Sequence, residues 1–204
     1  MNQPTVEQFE SFIRDSFSRH GLPLDRCSQI LFSQLAHMPN YGIFNFPFQY
    51  AEQEIGYLEG KGKTSTKPAE PFSEKGKLRG LMHKHFLVSG PEQLAANAKL
   101  AWKLDNPNSG KFSQMASRVR KPYANCTPTQ TEARNLSKEL TDEFMGGLKE
   151  RLAGKATGDW IVYLPHQGKN YYLCIAKHDE DDFILEAVKR CCTEFSFIPA
   201  HVAL

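Results

Sequence analysis

The stretch GDWIVYLPHQGKNYYLCIAKHDEDDFILEAVKR, Gly158–Arg190, decides the fold class because its residue preferences switch within a few positions. DWIVYL and YYLCIAKH are rich in β-branched and aromatic residues. The polar PHQGKN between them supplies a turn, so the pair predicts a β-hairpin. EDDFILEAVKRCC follows, acidic in its first turn and carrying Lys189 and Arg190 in its last. That order suits the helix dipole and predicts a helix. EFSFI, residues 194–198, predicts a closing strand. Tyr171 and Tyr172 point to opposite faces of the hairpin. At most one is expected in the core, leaving the other to stack on a base, donate a proton or cover the sheet.

Upstream of the hairpin the apolar period becomes helical. Thr129 and Glu132 form a capping box ahead of Leu136, Leu140, Phe144, Leu148 and Leu152 at spacing four, which predicts one long amphipathic helix stopped at Gly154. Thr5 and Gln8 repeat the device before Phe9, Phe12, Ile13 and Phe17, predicting a helix over 6–19 that ends near Gly21. Asp25 is placed to cap a second helix reaching about His37. NYGIFNFPFQY, residues 40–50, fits a strand pair or an apolar loop. Ser89-Gly90-Pro91 starts a helix to about Leu104, DNPNSG turns, and KFSQMASRVRK forms a short basic helix. Helices first and a hairpin later argue for an α+β fold, with N-terminal helices and a long amphipathic helix packed on a small antiparallel sheet. The expected organisation is an N-terminal helical region at 1–55, a flexible basic linker or loop at 56–77, and an α+β domain at 78–204, with one compact unit as the alternative.

At 204 residues, with 40% hydrophobic and 24% charged residues, the chain can bury a core of useful size. WIVYL and FIL fall far short of the roughly 20 apolar residues a membrane helix needs, so no membrane partner is expected. The N-terminus lacks a basic segment followed by an apolar block, and the five cysteines are an odd number with Cys191 and Cys192 adjacent. A reduced, cytoplasmic protein is the expectation.

The net charge of +2 conceals an asymmetry. Lys61 to Lys121 holds 13 Lys and Arg against 4 Asp and Glu, leaving 12 basic and 19 acidic residues elsewhere. This basic island is either a solvated face or a surface for a polyanion. Within it GKGKTST resembles a phosphate loop, but Tyr57 stands where that motif needs its first glycine. The candidates for nucleic-acid contact are Lys75, Lys77, Arg79, Lys111, Arg118, Arg120 and Lys121.

The same island contains KGKLRGLMHKHFLVSG, Lys75–Gly90. On a strand over 81–88, His83 and His85 share one face with Leu87, while Lys84 faces the other way with Met82, Phe86 and Val88. Two imidazoles on one face suit acid–base chemistry, phosphate contact, a structural role or metal binding; a metal needs further ligands, for which His166, Cys174, His178 and Asp179 are the candidates. His178 precedes Asp179 and Asp181, either of which could hold its ring and raise its pKa, or simply cap the helix. Neither G-x-S-x-G, C-x-x-C, H-E-x-x-H nor a dinucleotide fingerprint occurs, and no cofactor or metal is expected.

The long helix, the LRGLMHKHF segment and GDWIVYLPHQGKNYYLCIAKHDEDDFILEAVKR together resemble the small α+β ribonuclease group of RelE-type toxins and barnase-like and colicin-like nucleases, including phage and mobile-element members. The resemblance covers roughly residues 78–198 and leaves the first 60 as an addition. It implies cleavage without metal, by a base acting on the ribose 2′-hydroxyl, an acid acting on the leaving 5′-oxygen, and a cation at the phosphate. By residue type it offers His83, His85 and His178 as acid and base, Lys84, Arg118 and Arg120 as charge stabilisers, and Tyr172 as a stacking or proton-donating group. It implies RNA as substrate, with an antitoxin or defence component as a protein partner. The alternatives are a non-enzymatic immunity or anti-defence module that binds an acidic partner through the basic island, and a His/Cys metal enzyme.

Overall fold

Four antiparallel strands in the order β1-β2-β3-β4 carry the site: β1 (Glu70–Pro71), β2 (Met82–Phe86), β3 (Asp159–His166) and β4 (Lys169–Ala176). They are seen in a computed structural model that describes residues 5–38, 47–87, 91–103, 111–123, 126–153, 156 and 158–203. The fold is α+β, without a described helix long and apolar enough to cross a membrane. Gln167 and Gly168 close the β3–β4 hairpin with φ of 49° and 74°, the left-handed pair that a two-residue turn matching strand twist requires. A bulge between Val162 and Tyr163 leaves Leu173 as the extra residue on β4, so Leu173 and Cys174 both face one layer while Tyr172 faces the other.

Helices cover both faces. On one side α1 (Val6–Arg19), α2 (Gln29–His37) and α3 (Pro47–Leu58) contribute Ile13, Phe17, Phe32, Leu35, Phe48 and Ile55 to a core shared with Phe86, Ile161, Tyr163 and Tyr172. Both halves of the Thr5–Gln8 capping box form at α1. α2 is capped by Ser28 rather than Asp25, which lies in a 3-10 turn at Leu24–Arg26. Ser28 gains from the substitution of roles, because its hydroxyl accepts from Leu31 N and also donates to Leu173 O, tying α2 to β4. The NYGIFNFPFQY segment enters α3 at Pro47; residues 39–46 lie outside the described ones.

α4 (Pro91–Trp102), α5 (Lys111–Arg120) and α6 (Gln130–Leu152) follow β2. The long helix α6 begins at the Thr129–Glu132 capping box and packs on α4, where the Trp102 indole stacks on Phe144 and donates to its carbonyl at 3.3 Å. The opposite sheet face is covered by α7 (Asp181–Cys191), with Ile184, Val188 and Cys191 against Val162, Leu164 and Cys174. Residues 194–198 do not form a strand. Phe195 N and Ile198 N donate to Cys191 O and Phe195 O, and these turns press Phe195 and Ile198 into the α7 side of the core.

The segment expected as a linker, 56–77, completes α3 as far as Leu58 and contributes β1. It is held by Lys84, whose side chain is fully buried on the α3 face. Its Nζ lies 3.0 Å from Glu54 Oε2 and donates to Thr64 Oγ1, to the Lys67 carbonyl and to Thr66 Oγ1. Thr66 in turn donates to the His85 carbonyl at 2.6 Å. Burial lowers the Lys84 pKa and Glu54 opposes that. Lys84→Met is expected to destabilise the fold by about 3–5 kcal/mol because it strands a buried carboxylate, and adding Glu54→Leu should recover most of the loss. Urea unfolding of the two single variants and the double variant checks this; additive losses would contradict it.

Candidate functional site

The strand alternation that buries Lys84 sends His83 and His85 to the opposite face. There they meet β3, since His83 pairs with Val162 and His85 with Trp160. His178, two residues past β4, folds over the same end of the sheet. Ring centroids are 5.7 Å apart for His83 and His85 and 5.2 Å for His85 and His178. Trp160 lies against the cluster, 4.5 Å from His83, 4.4 Å from His178 and 6.2 Å from His85. Phe72 touches His83 and Trp160 at 4.9 and 5.5 Å. His83 and His85 are 8% and 3% exposed, whereas His178 is exposed.

One backbone carbonyl orients two of the rings. Gly158 O lies 3.1 Å from His85 Nδ1 and 3.1 Å from His178 Nε2. Gly158 N also approaches His85 Nδ1, but at 3.4 Å. The shorter contact favours a proton on His85 Nδ1, leaving a lone pair on Nε2. For His178 the same carbonyl favours Nε2–H, and Asp179 and Asp181 do not supply its ring partner. A Cβ at Gly158 would overlap the Phe86 carbonyl, which is why glycine stands there. His83 Nε2 faces Glu70 Oε2 at 4.0 Å across the β1–β2 pair.

Burial and mutual repulsion keep the inner rings neutral. The His83 pKa is pushed down to about 4, first by burial and then by His85, with Glu70 opposing. That of His85 is lowered by burial, against the raising effect of its bond to Gly158. Lys67 adds positive field at both rings, and Lys177 does so at Asp159, whose own pKa is raised by burial. Neutral imidazoles at ordinary pH can accept protons, bind a hydroxyl or ligate a metal. Among the described residues no group of three or more His, Cys, Asp or Glu side chains is placed to hold a metal. His166 stacks on Phe197 at the hairpin end, and Cys174 is buried with its thiol pKa pushed up by burial.

The remaining candidates lie elsewhere. Lys84 is locked on the other face by Glu54, Thr64 and Thr66, so it does not join the histidines. Tyr172 is fully buried on that face too, its hydroxyl donating to Glu59 Oε1 at 2.7 Å and its pKa raised by burial; Arg26 completes the cluster through Glu59. The Tyr172 ring and hydroxyl lie on the face away from the histidines. Lys77 pairs with Asp182 at 2.7 Å, and Arg118 with Glu139 and Glu143. Lys75, Arg79 and Lys121 are exposed; the Arg79 carbonyl holds the His201 ring. The side chains of Lys111 and Arg120 lie outside the described ones. Trp160, Gly158, Glu70 and Phe72 complete the site without having been singled out in the sequence. The one available cue for Trp160 was its position on the strand face opposite the apolar Ile161.

No protein-family model, no curated protein and no solved structure matches this chain.

Two outcomes follow for the imidazole cluster. The unfolded chain binds the His83 proton below about pH 6.5, whereas the folded chain resists it down to about pH 4. Stability should therefore fall as pH drops through this window, by up to about 3 kcal/mol for His83, and His83→Phe should remove that component. Chemical unfolding at pH 4, 5.5 and 7 measures it; identical pH slopes in both proteins would contradict it. Gly158→Ala should displace β2 from β3 and lower the melting temperature by several degrees, read by circular dichroism.

Proposed function

We propose that the chain is a metal-independent ribonuclease acting through His83, His85 and His178, as the resemblance of its sequence to small α+β ribonucleases implies. The observation that carries this reading is the convergence of the three rings around Trp160, two neutral and buried and one exposed. Such a set supplies a proton acceptor beside a proton donor. A neutral inner imidazole takes the ribose 2′-hydroxyl proton, the 2′-oxygen attacks phosphorus, and the bond from phosphorus to the 5′-oxygen breaks. His178, protonated at the nitrogen not engaged by Gly158, gives its proton to the leaving 5′-oxygen. The products are a 2′,3′-cyclic phosphate and a free 5′-hydroxyl.

Since Lys84 is held away, the charge at phosphorus falls to other cations; Lys67 and Lys177 stand within electrostatic reach of the site. Of the acidic HDEDD segment, Asp182 is paired with Lys77. A toxin or phage-defence role, an antitoxin-like partner and a cytoplasmic setting complete the reading. Cys27, Cys174, Cys191 and Cys192, none of them in a disulfide, are compatible with that setting.

Labelled RNA incubated with the purified chain in EDTA is expected to be cleaved to cyclic-phosphate ends. His83→Ala/His85→Ala should reduce the rate by at least about 100-fold. Absence of cleavage by the wild-type chain, or equal cleavage by both, would contradict the reading.

A further inference from the structure

His83 Nδ1 and Trp160 Nε1 are both buried, and neither has a hydrogen-bond partner among the described residues. They belong to neighbouring rings with centroids 4.5 Å apart. A buried polar atom left unmet is costly, so two on adjacent rings mark a place where a bound group would stabilise the fold. The two atoms differ in character. The indole N–H can only donate. The Glu70 carboxylate facing His83 Nε2 favours the proton on that nitrogen, which leaves an acceptor lone pair at Nδ1.

One donor beside one acceptor fits a group that accepts and donates through a single oxygen. A phosphoryl oxygen would satisfy Trp160 alone, and an ammonium group His83 alone; a hydroxyl satisfies both. We propose that His83 Nδ1 and Trp160 Nε1 form a hydroxyl-binding pair that receives the ribose 2′-hydroxyl of RNA. This assignment rests on the ribonuclease reading and sharpens it. Trp160 donates to the 2′-oxygen, and the 2′-hydroxyl donates to His83 Nδ1, which points its proton at the base. His83 becomes the proton acceptor of the reaction, and Trp160 becomes the residue that distinguishes RNA from DNA.

Access runs past Phe72. Its ring contacts both partners and follows immediately on β1, an edge strand of only two residues. Opening there means moving this side chain against the bond from Phe72 N to Leu81 O at 3.0 Å, at the end of a short edge strand.

Calorimetric titration of the full chain with the four ribonucleoside 3′-monophosphates and their 2′-deoxy counterparts tests the assignment, because neither series can be cleaved. The ribonucleotides should bind at least about tenfold more tightly. Trp160→Phe and His83→Phe should bring the ratio near one. His83→Asn, with an amide oxygen near the position of Nδ1, should retain much of it. Phe72→Ala, which leaves the pair intact, should keep the preference and tighten ribonucleotide binding. Equal affinity for the two series, no binding of either, or a preference that survives in Trp160→Phe would overturn the proposal. If Trp160→Phe does not fold, the Phe72→Ala and His83→Asn ratios decide it, and a ratio near one in both overturns it. Cleavage of RNA without ribose preference would overturn this pair and leave the ribonuclease reading standing; ribose preference without cleavage would do the reverse.

Discussion

The buried ion pair of Lys84 with Glu54 constrains everything built around it. Lys84 is the central residue of a five-residue strand, and a charge sealed from water must keep its partner or lose several kcal/mol. Glu54 reaches it from α3, and Thr64 and Thr66 reach it from the following loop. Because strand side chains alternate, anchoring Lys84 toward α3 forces His83 and His85 toward the other layer. A slip of one residue would turn both imidazoles toward α3 and carry the lysine away from Glu54, so the ion pair also sets the register. The same contacts dock the loop that leads to Glu70 and Phe72, two residues that border the imidazole cluster.

On the far face the logic reverses. Lys84 is fully paired, whereas His83 is neutral and incompletely paired. Gly158 mediates between the layers of constraint. Its missing side chain permits close approach to Phe86, and its carbonyl gathers His85 and His178. Burial first, and the neighbouring rings after it, hold His83 and His85 in the neutral form, with lone pairs available as acceptors. Basic residues in the turn after β1 and on α5 contribute less than the count of Lys and Arg suggests, because Lys77 and Arg118 meet carboxylates.

Local rules made much of the architecture legible. The two capping boxes, the hairpin and the acidic start of α7 each depend on residues within a few positions of one another, and each forms where its chemistry indicates. The alternation in His83-Lys84-His85 was equally readable. Long-range pairing was not. The partner of Lys84 lies 30 positions upstream, and the hydroxyl partner of Tyr172 lies 113 positions away, so both residues could pass for site groups in the sequence. Asp25 had the right chemistry for a cap, but Ser28 also reaches the Leu173 carbonyl. EFSFI had strand composition, yet its apolar residues are buried through turns against α7. Gly158 carried no signature, and Trp160 only its place on the strand face opposite Ile161, since their roles arise only when β2 lies beside β3.

The imidazoles are gathered in defined tautomers around one indole. Long-range proton–nitrogen correlation spectra of the histidine rings, combined with ring-to-ring Overhauser contacts, measure this directly at neutral pH. The predicted result is neutral His83 and His85 rings, a proton on His85 Nδ1, and contacts from Trp160 to His83, His85 and His178. A rapidly averaging His85 ring with its proton on Nε2, and no contact between these rings and Trp160, would contradict the account.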